Sequence, residues 1–237
     1  MTGEPLVMIP PMMCDARVFS PQIDGLSRDH PVMFAPTHGA DKMEDIAAAI
    51  LATTPPKFAL LGLSMGGAVA LEIVKRAPER VTRLALMNCT AQSETPDAAS
   101  AREPLIVAAR SGRFDEVIEK EMNPDWLAPG PLRLPVLQLV RDMARAIGPE
   151  AYVNQARAMQ RRRDHQRTLR EVRQPAVVIC GQEDKLYPVR RHQFMSELIP
   201  YGRLEIVADA GHLPTLEEPE AVNIILRDWM RQPLVLR

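Results

Sequence analysis

Residues 62–67 read Gly-Leu-Ser-Met-Gly-Gly, with glycine two positions before Ser64 and two after it. A serine hydroxyl is a weak nucleophile near neutrality. It needs a sharp turn to expose it, a base to take its proton and an acid to orient the base. Side chains at positions 62 and 66 would clash in such a turn, so glycine suits both. A helical pattern follows directly. It would set Ser64 at a helix N-terminus, where backbone N–H groups favour developing negative charge.

His212 is the expected base. It sits in Ala208-Asp209-Ala210-Gly211-His212-Leu213, just after an apolar run. His30 precedes a strand, His165 lies in an arginine-rich stretch and His192 lies inside a helical pattern; His38, after a strand, is the one rival. Asp184, in Gly181-Gln182-Glu183-Asp184, is the expected acid ahead of Glu183 and Asp209. Another location for an acid is the loop after the fourth strand, but Asn88-Cys89-Thr90 holds no carboxylate. The chain order is then serine, aspartate, histidine. An oxyanion would need two donors. The Met65 backbone N–H is one. The other falls in Pro10-Pro11-Met12-Met13, where Met12 is the first residue with an N–H to give.

Elements must carry these loops to one place. Short apolar runs bounded by turn residues predict strands at 6–9, 30–35, 57–61, 81–87, 176–180 and 203–207. Helical spacing predicts helices at 18–26, 43–51, 66–76, 189–198 and 219–230. Alternating strands and helices mean a parallel sheet covered on both faces, with reactive groups gathered at the strands' carboxyl ends. Between about 94 and 169 the alternation stops. That segment reads as helices broken by prolines at 96, 104, 124, 129, 131, 135 and 149. The expected organisation is a core of residues 1–93 and 170–237 with a helical insertion over 94–169.

Composition removes other classes. Lys plus Arg number 29 against 30 Asp plus Glu, a net charge of −1, which speaks against a nucleic-acid binder. Five Phe, three Tyr and two Trp are few for base-stacking or sugar platforms. The three cysteines show no CxxC spacing and the histidines no ligand pairing, so no metal or other cofactor is expected and buried thiols are. No apolar run approaches the roughly 20 residues of a membrane span. The N-terminal residues lack a secretory pattern. A cytoplasmic setting is expected, with the oligomeric state open.

These residues resemble the α/β-hydrolase superfamily, in its branch of small esterases, enol-lactonases and carrier-protein methyl ester hydrolases. The resemblance runs nearly the whole chain, through residues 62–67, 181–189 and 210–222, and through 10–23 as oxyanion loop and helix. It implies an α/β-hydrolase fold of about six parallel strands without the N-terminal antiparallel hairpin. Ser64, Asp184 and His212 carry over as nucleophile, acid and base, and Met12 and Met65 as oxyanion donors. Pro10-Pro11 stands where the family has His-Gly, so the histidine that often braces this loop is absent. The insertion falls where the family places its cap. Trp126, Leu127, Met143 and Met159 are therefore expected among the pocket-lining residues. Arg162 with Asp164 resembles an Arg-Pro-Asp step near the cap's end, which adds Arg162. Residues 157–173 hold seven arginines against Asp164 and Glu171. They form either a solvated face or an anion-handling surface for a carboxylate substrate or an acidic carrier protein.

The expected activity is hydrolysis of a small carboxylic ester or lactone through an acyl-enzyme. The same residues could serve C–C bond hydrolysis, a proton-abstraction lyase step or cofactor-free perhydrolysis. A non-catalytic binding protein on this fold is the remaining alternative.

Overall fold

A computed structural model describes residues 3–234. Six strands form one sheet: β1 (Leu6–Ile9), β2 (Val32–Phe34), β3 (Phe58–Leu63), β4 (Val81–Met87), β5 (Ala176–Gly181) and β6 (Gly202–Val207). Their order is β2-β1-β3-β4-β5-β6, and every neighbouring pair is parallel. The chain turns one way from β1 to β2 and the other way from β3 onward. The crevice between β1 and β3 is therefore the switch point where such sheets bind ligands.

Strands β1, β3 and β5 are buried at every residue, as expected when both faces are covered. Alternate residues serve opposite faces. Val7 and Ile9 join a core with Ile46 and Ile50 of α2 (Met43–Thr53) and Val69 and Ile73 of α3 (Met65–Arg76). Leu6 and Met8 join another with Leu26 of α1 (Ser20–Leu26) and Leu226 and Trp229 of the last helix, Pro219–Arg231. Residues 18 and 19, expected in one helix with 20–26, belong instead to a 3-10 turn over Ala16–Phe19 that the Asp15 side chain caps.

Between β4 and β5 lie α4 (Pro96–Arg110), α5 (Phe114–Glu121), a 3-10 turn (Pro124–Trp126), α6 (Arg133–Ile147), α7 (Pro149–Gln160) and α8 (Gln166–Glu171). The Thr95 side chain accepts from the Ala98 N–H, and Pro96 takes the first position of α4. Gly148, at φ +89°, ends α6 and hands the chain to Pro149, the first residue of α7. Pro104 does not break its helix: α4 runs through it. Both Pro104 and Ser100, whose carbonyl loses its helical partner, are exposed, so water can satisfy that carbonyl. Past β5 the chain adds α9 (Val189–Leu198), then β6, then α10 (Pro214–Glu217) and α11 (Pro219–Arg231). Among the described residues, no helix is long and apolar enough to cross a membrane.

Candidate active site

Ser64 stands between the end of β3 and the start of α3 with φ 54° and ψ −115°. A non-glycine residue held there is strained and persists only when its surroundings over-determine it. They do so here. The Ser64 N–H donates to the Met87 carbonyl at 2.9 Å, and the Ser64 carbonyl accepts from the Gly67 N–H at 2.9 Å. A Cβ on Gly62 would meet the Gly66 carbonyl, and one on Gly66 would meet the Ile9 carbonyl. Backbone thus packs against backbone, and the hydroxyl is lifted clear of the sheet.

The loop after β6 brings His212 to it. Nε2 lies 2.9 Å from the Ser64 Oγ, and Nδ1 lies 3.0 Å from Oδ2 of Asp184 in the loop after β5. Asp184 Oδ1 accepts from the N–H groups of Leu186 (2.9 Å) and Tyr187 (3.0 Å). Burial alone would raise the Asp184 carboxyl. The His212 ring, the Tyr187 amide and the Asn88 amide outweigh burial and hold it below the usual carboxylate value. Glu183 and Asp209 are exposed. So is the rival histidine, His38, whose carbonyl accepts from the Asn154 side chain. His165 is buried beside Glu72, at 3.1 Å. All three cysteines are free and buried.

Three positioning residues escaped the sequence reading. Asn88, at the end of β4, donates from Nδ2 to Asp184 Oδ2 (2.6 Å) and to the Gly211 carbonyl (2.9 Å), and accepts the Gly181 N–H at 3.3 Å. It ties three loops together. The only hint was its place in a loop inspected for carboxylates. Glu217 accepts the N–H groups on both sides of His212, from Gly211 (3.0 Å) and Leu213 (2.8 Å), and that of Ala128 (2.6 Å). Burial pushes its carboxyl above the usual range, against those three amides. Its position five residues past His212 was a readable signal. Gln155 of α7 accepts the Met13 N–H at 2.9 Å and donates to Thr37 Oγ1 at 2.9 Å. It braces the loop after β1 where the family's histidine is missing. Nothing local in the sequence pointed to it.

Met12 in that loop lines the same cavity as Ser64, while Met13 takes φ +58°. The Met13 N–H is spent on Gln155. Among the described residues, the N–H groups of Met12 and Met65 have no backbone partner outside the helices and no side-chain partner, and Met65 opens α3, where helix geometry supplies none.

Ser64 and His212 open on a cavity of about 400 Å³ whose walls are mostly apolar. Trp126, Leu127 and Met159 line it. Two expected residues do not. Met143 is fully buried in the core, because the cavity-facing part of α6 ends one turn earlier, at Leu137 and Val140. Arg162 turns away from the cavity to pair with Glu94 at 3.1 Å and donates from Nε to the Gln92 carbonyl at 3.0 Å. The arginine run is largely neutralised. Arg157 pairs with Glu103, Arg161 with Asp41, Arg163 with Glu44 and Arg167 with Glu171. No group of three or more His, Cys, Asp or Glu among the described residues is placed to hold a metal ion.

Comparison with known proteins agrees with this architecture. A family model described as "Alpha/beta hydrolase family" matches residues 14–223. The chain is 27% identical to a pimeloyl-[acyl-carrier protein] methyl ester esterase of Xanthomonas oryzae pv. oryzae, over 96% of this chain and 95% of that protein. A thermophilic esterase from Thermogutta terrifontis superposes with a TM-score of 0.88 at 26% identity, over 97% of this chain and 90% of that one. The enol-lactonase from Burkholderia xenovorans LB400 shares the fold, with a TM-score of 0.84 at 23% identity, over 98% and 95% of the two chains. The chain belongs to the alpha/beta hydrolase family and has esterases among its relatives.

Proposed function

We propose that this protein is a serine hydrolase that cleaves a small carboxylic ester or lactone with Ser64, His212 and Asp184. The observation that carries the reading is the pair of contacts through His212, 2.9 Å to the Ser64 hydroxyl and 3.0 Å to the Asp184 carboxylate, with Ser64 and His212 on the wall of the cavity. His212 takes the hydroxyl proton as Ser64 Oγ attacks the carbonyl carbon. The carbonyl oxygen becomes an oxyanion facing the N–H groups of Met12 and Met65. Collapse breaks the bond to the leaving oxygen, which receives the proton from His212. Water then attacks the acyl-serine with His212 again as base. The acid leaves and Ser64 regains its proton. Asp184 stays ionised, orients the imidazole and stabilises the imidazolium.

The helices of residues 94–169 act as a cap in this reading. Trp126, Leu127 and Met159 shape the pocket. The His212 N–H donates to the Trp126 carbonyl at 2.7 Å, so cap and base are joined directly. The names of the esterase relatives support ester chemistry. The pairing of Arg157, Arg161, Arg163 and Arg167 with carboxylates favours a small ester over an acidic carrier protein docked on that run.

Hydrolysis of p-nitrophenyl esters from acetate to laurate, with lactones alongside, tests the proposal. Ser64→Ala is expected to lower kcat by about 10⁴-fold or more, with KM little changed. A serine-directed phosphonate is expected to label the wild type at Ser64. Esterase activity that survives Ser64→Ala intact sinks the mechanism.

A further inference from the structure

Among the described residues, the charged side chains on the cavity wall apart from His212 are Arg102 of α4 and Glu121 of α5. Arg102 is anchored from behind. Glu94 Oε2 accepts from its Nε at 3.3 Å and its Nη2 at 3.2 Å. The same Glu94 carboxylate accepts from Arg162, with Nη1 on Oε2 at 3.2 Å and Nη2 on Oε1 at 3.1 Å. One carboxylate therefore serves two guanidinium groups.

The remaining nitrogen of Arg102, Nη1, is poorly satisfied. Its hydrogen-bond neighbour is the Met12 thioether, at 3.9 Å. The nearest carboxylate oxygen, Glu121 Oε2, is 3.8 Å away, beyond hydrogen-bond length. Among the described residues, Glu121 accepts one side-chain hydrogen bond, from the Tyr152 hydroxyl at 3.2 Å. Burial pushes the Glu121 carboxyl upward, against the lowering effect of Arg102.

We infer that Arg102 selects a substrate carrying a carboxylate in addition to its scissile ester, received by the open Nη1 edge between Met12 and Glu121. A guanidinium edge and a carboxylate form strong charge-assisted hydrogen bonds. Arg102, Met12 and Ser64 line one cavity, so the second carboxylate would be held in the same cavity as the reacting carbonyl. This inference rests on the ester-hydrolase reading and narrows its substrate class.

The test compares monomethyl esters of dicarboxylic acids, from succinate to suberate, with methyl alkanoates of equal length. Acetyl esters of hydroxy acids form the second arm, which tells a carboxylate on the alcohol side from one on the acyl side. In one arm, kcat/KM for the carboxylate-bearing member should exceed its neutral match by about tenfold to a hundredfold. Arg102→Met should bring that ratio to about one, each variant serving as its own reference. Glu121→Gln, whose side chain carries no charge, should keep the preference. Calorimetric titration of Ser64→Ala with hexanoate and with hexanol reads the same selectivity without turnover, and hexanoate should bind more tightly. Two results overturn the inference: no carboxylate preference in the wild type, or a preference that survives Arg102→Met. An enzyme that cleaves p-nitrophenyl acetate through Ser64 yet ignores the carboxylate fails here alone. Loss of all esterase activity with hexanoate selectivity intact fails the ester reading instead.

Discussion

Replacing Asn88 by alanine removes the side chain that holds three loops together. Three hydrogen bonds go: to Asp184 Oδ2 (2.6 Å), to the Gly211 carbonyl (2.9 Å) and from the Gly181 N–H (3.3 Å). A bond to a charged group contributes about 1.5–3 kcal/mol and each neutral one about 1 kcal/mol. Asn88 is fully buried, so the Gly211 carbonyl and Gly181 N–H are left without partners. Water entering the vacated space recovers part of the loss. The expected destabilisation is about 3 kcal/mol, a large share of the roughly 5–15 kcal/mol typical of a domain. Asp184 also loses one of its four donors, so its carboxyl moves back up toward its ordinary value. A carboxyl depressed in the folded state adds stability above its unfolded pKa, and that stability is lost as pH falls through the folded value. Asn88→Ala therefore narrows the acid-side range of stability as well. With His212 less firmly oriented, kcat/KM should fall by about tenfold to a hundredfold. Urea unfolding at neutral and acid pH gives the first quantity, and p-nitrophenyl acetate kinetics the second. Asn88→Asp keeps the shape but sets a carboxylate against Asp184, so its stability should fall as pH rises through the pair's titration. A wild-type urea midpoint together with a rate within about twofold of wild type, in Asn88→Ala, would refute the reasoning.

Other perturbations probe different parts of the site. Gly66→Ala drives a Cβ into the Ile9 and Pro10 carbonyls, so a stability loss of about 2–3 kcal/mol and a displaced Met12 donor are expected. A thermal melt and ester kinetics both at wild-type level would contradict it. His192 is fully buried, its Nε2 accepts the Cys89 N–H at 3.0 Å, and burial pushes its pKa down to about 4. The unfolded chain takes up a proton below about 6.5 that the folded chain refuses until about 4. Stability should fall across that window by up to about 3 kcal/mol. His192→Gln should flatten the fall, and unchanged pH-dependence of the melting temperature in that variant would reject the assignment.

Several tertiary decisions had partial traces in the sequence. Runs such as Leu6–Ile9 and Ala176–Gly181 announce buried strands because both faces of a parallel sheet are apolar. The turn at Ser64 was legible because only glycine fits beside backbone carbonyls, at positions 62 and 66. Pro104 misled, since proline's local cost was outweighed by the packing of α4 on α7 and by solvent access to the freed carbonyl. Met143 misled because helical spacing tells which face is apolar, not how far along the axis a cavity extends. The arginine run left a solvated face and an anion-handling surface both open because its partners, Asp41, Glu44, Glu94 and Glu103, lie far back in the chain.

By itself the sequence determined the alternation of strands and helices, the parallel sheet, the sharp serine turn and the loops from which an acid and a base could reach it. These follow from short-range rules: hydrophobic period, turn chemistry and the placement of loops at strand ends. Only the tertiary structure decided what holds the site in place and what its cavity presents. Asn88 meets Asp184 across 96 residues and Gln155 meets Met13 across 142. Arg102 lines the cavity with its other edge held by Glu94. Hydrogen bonds and ion pairs between distant segments have no period and no spacing, so they exist for the reader only once the sheet has brought the loops together.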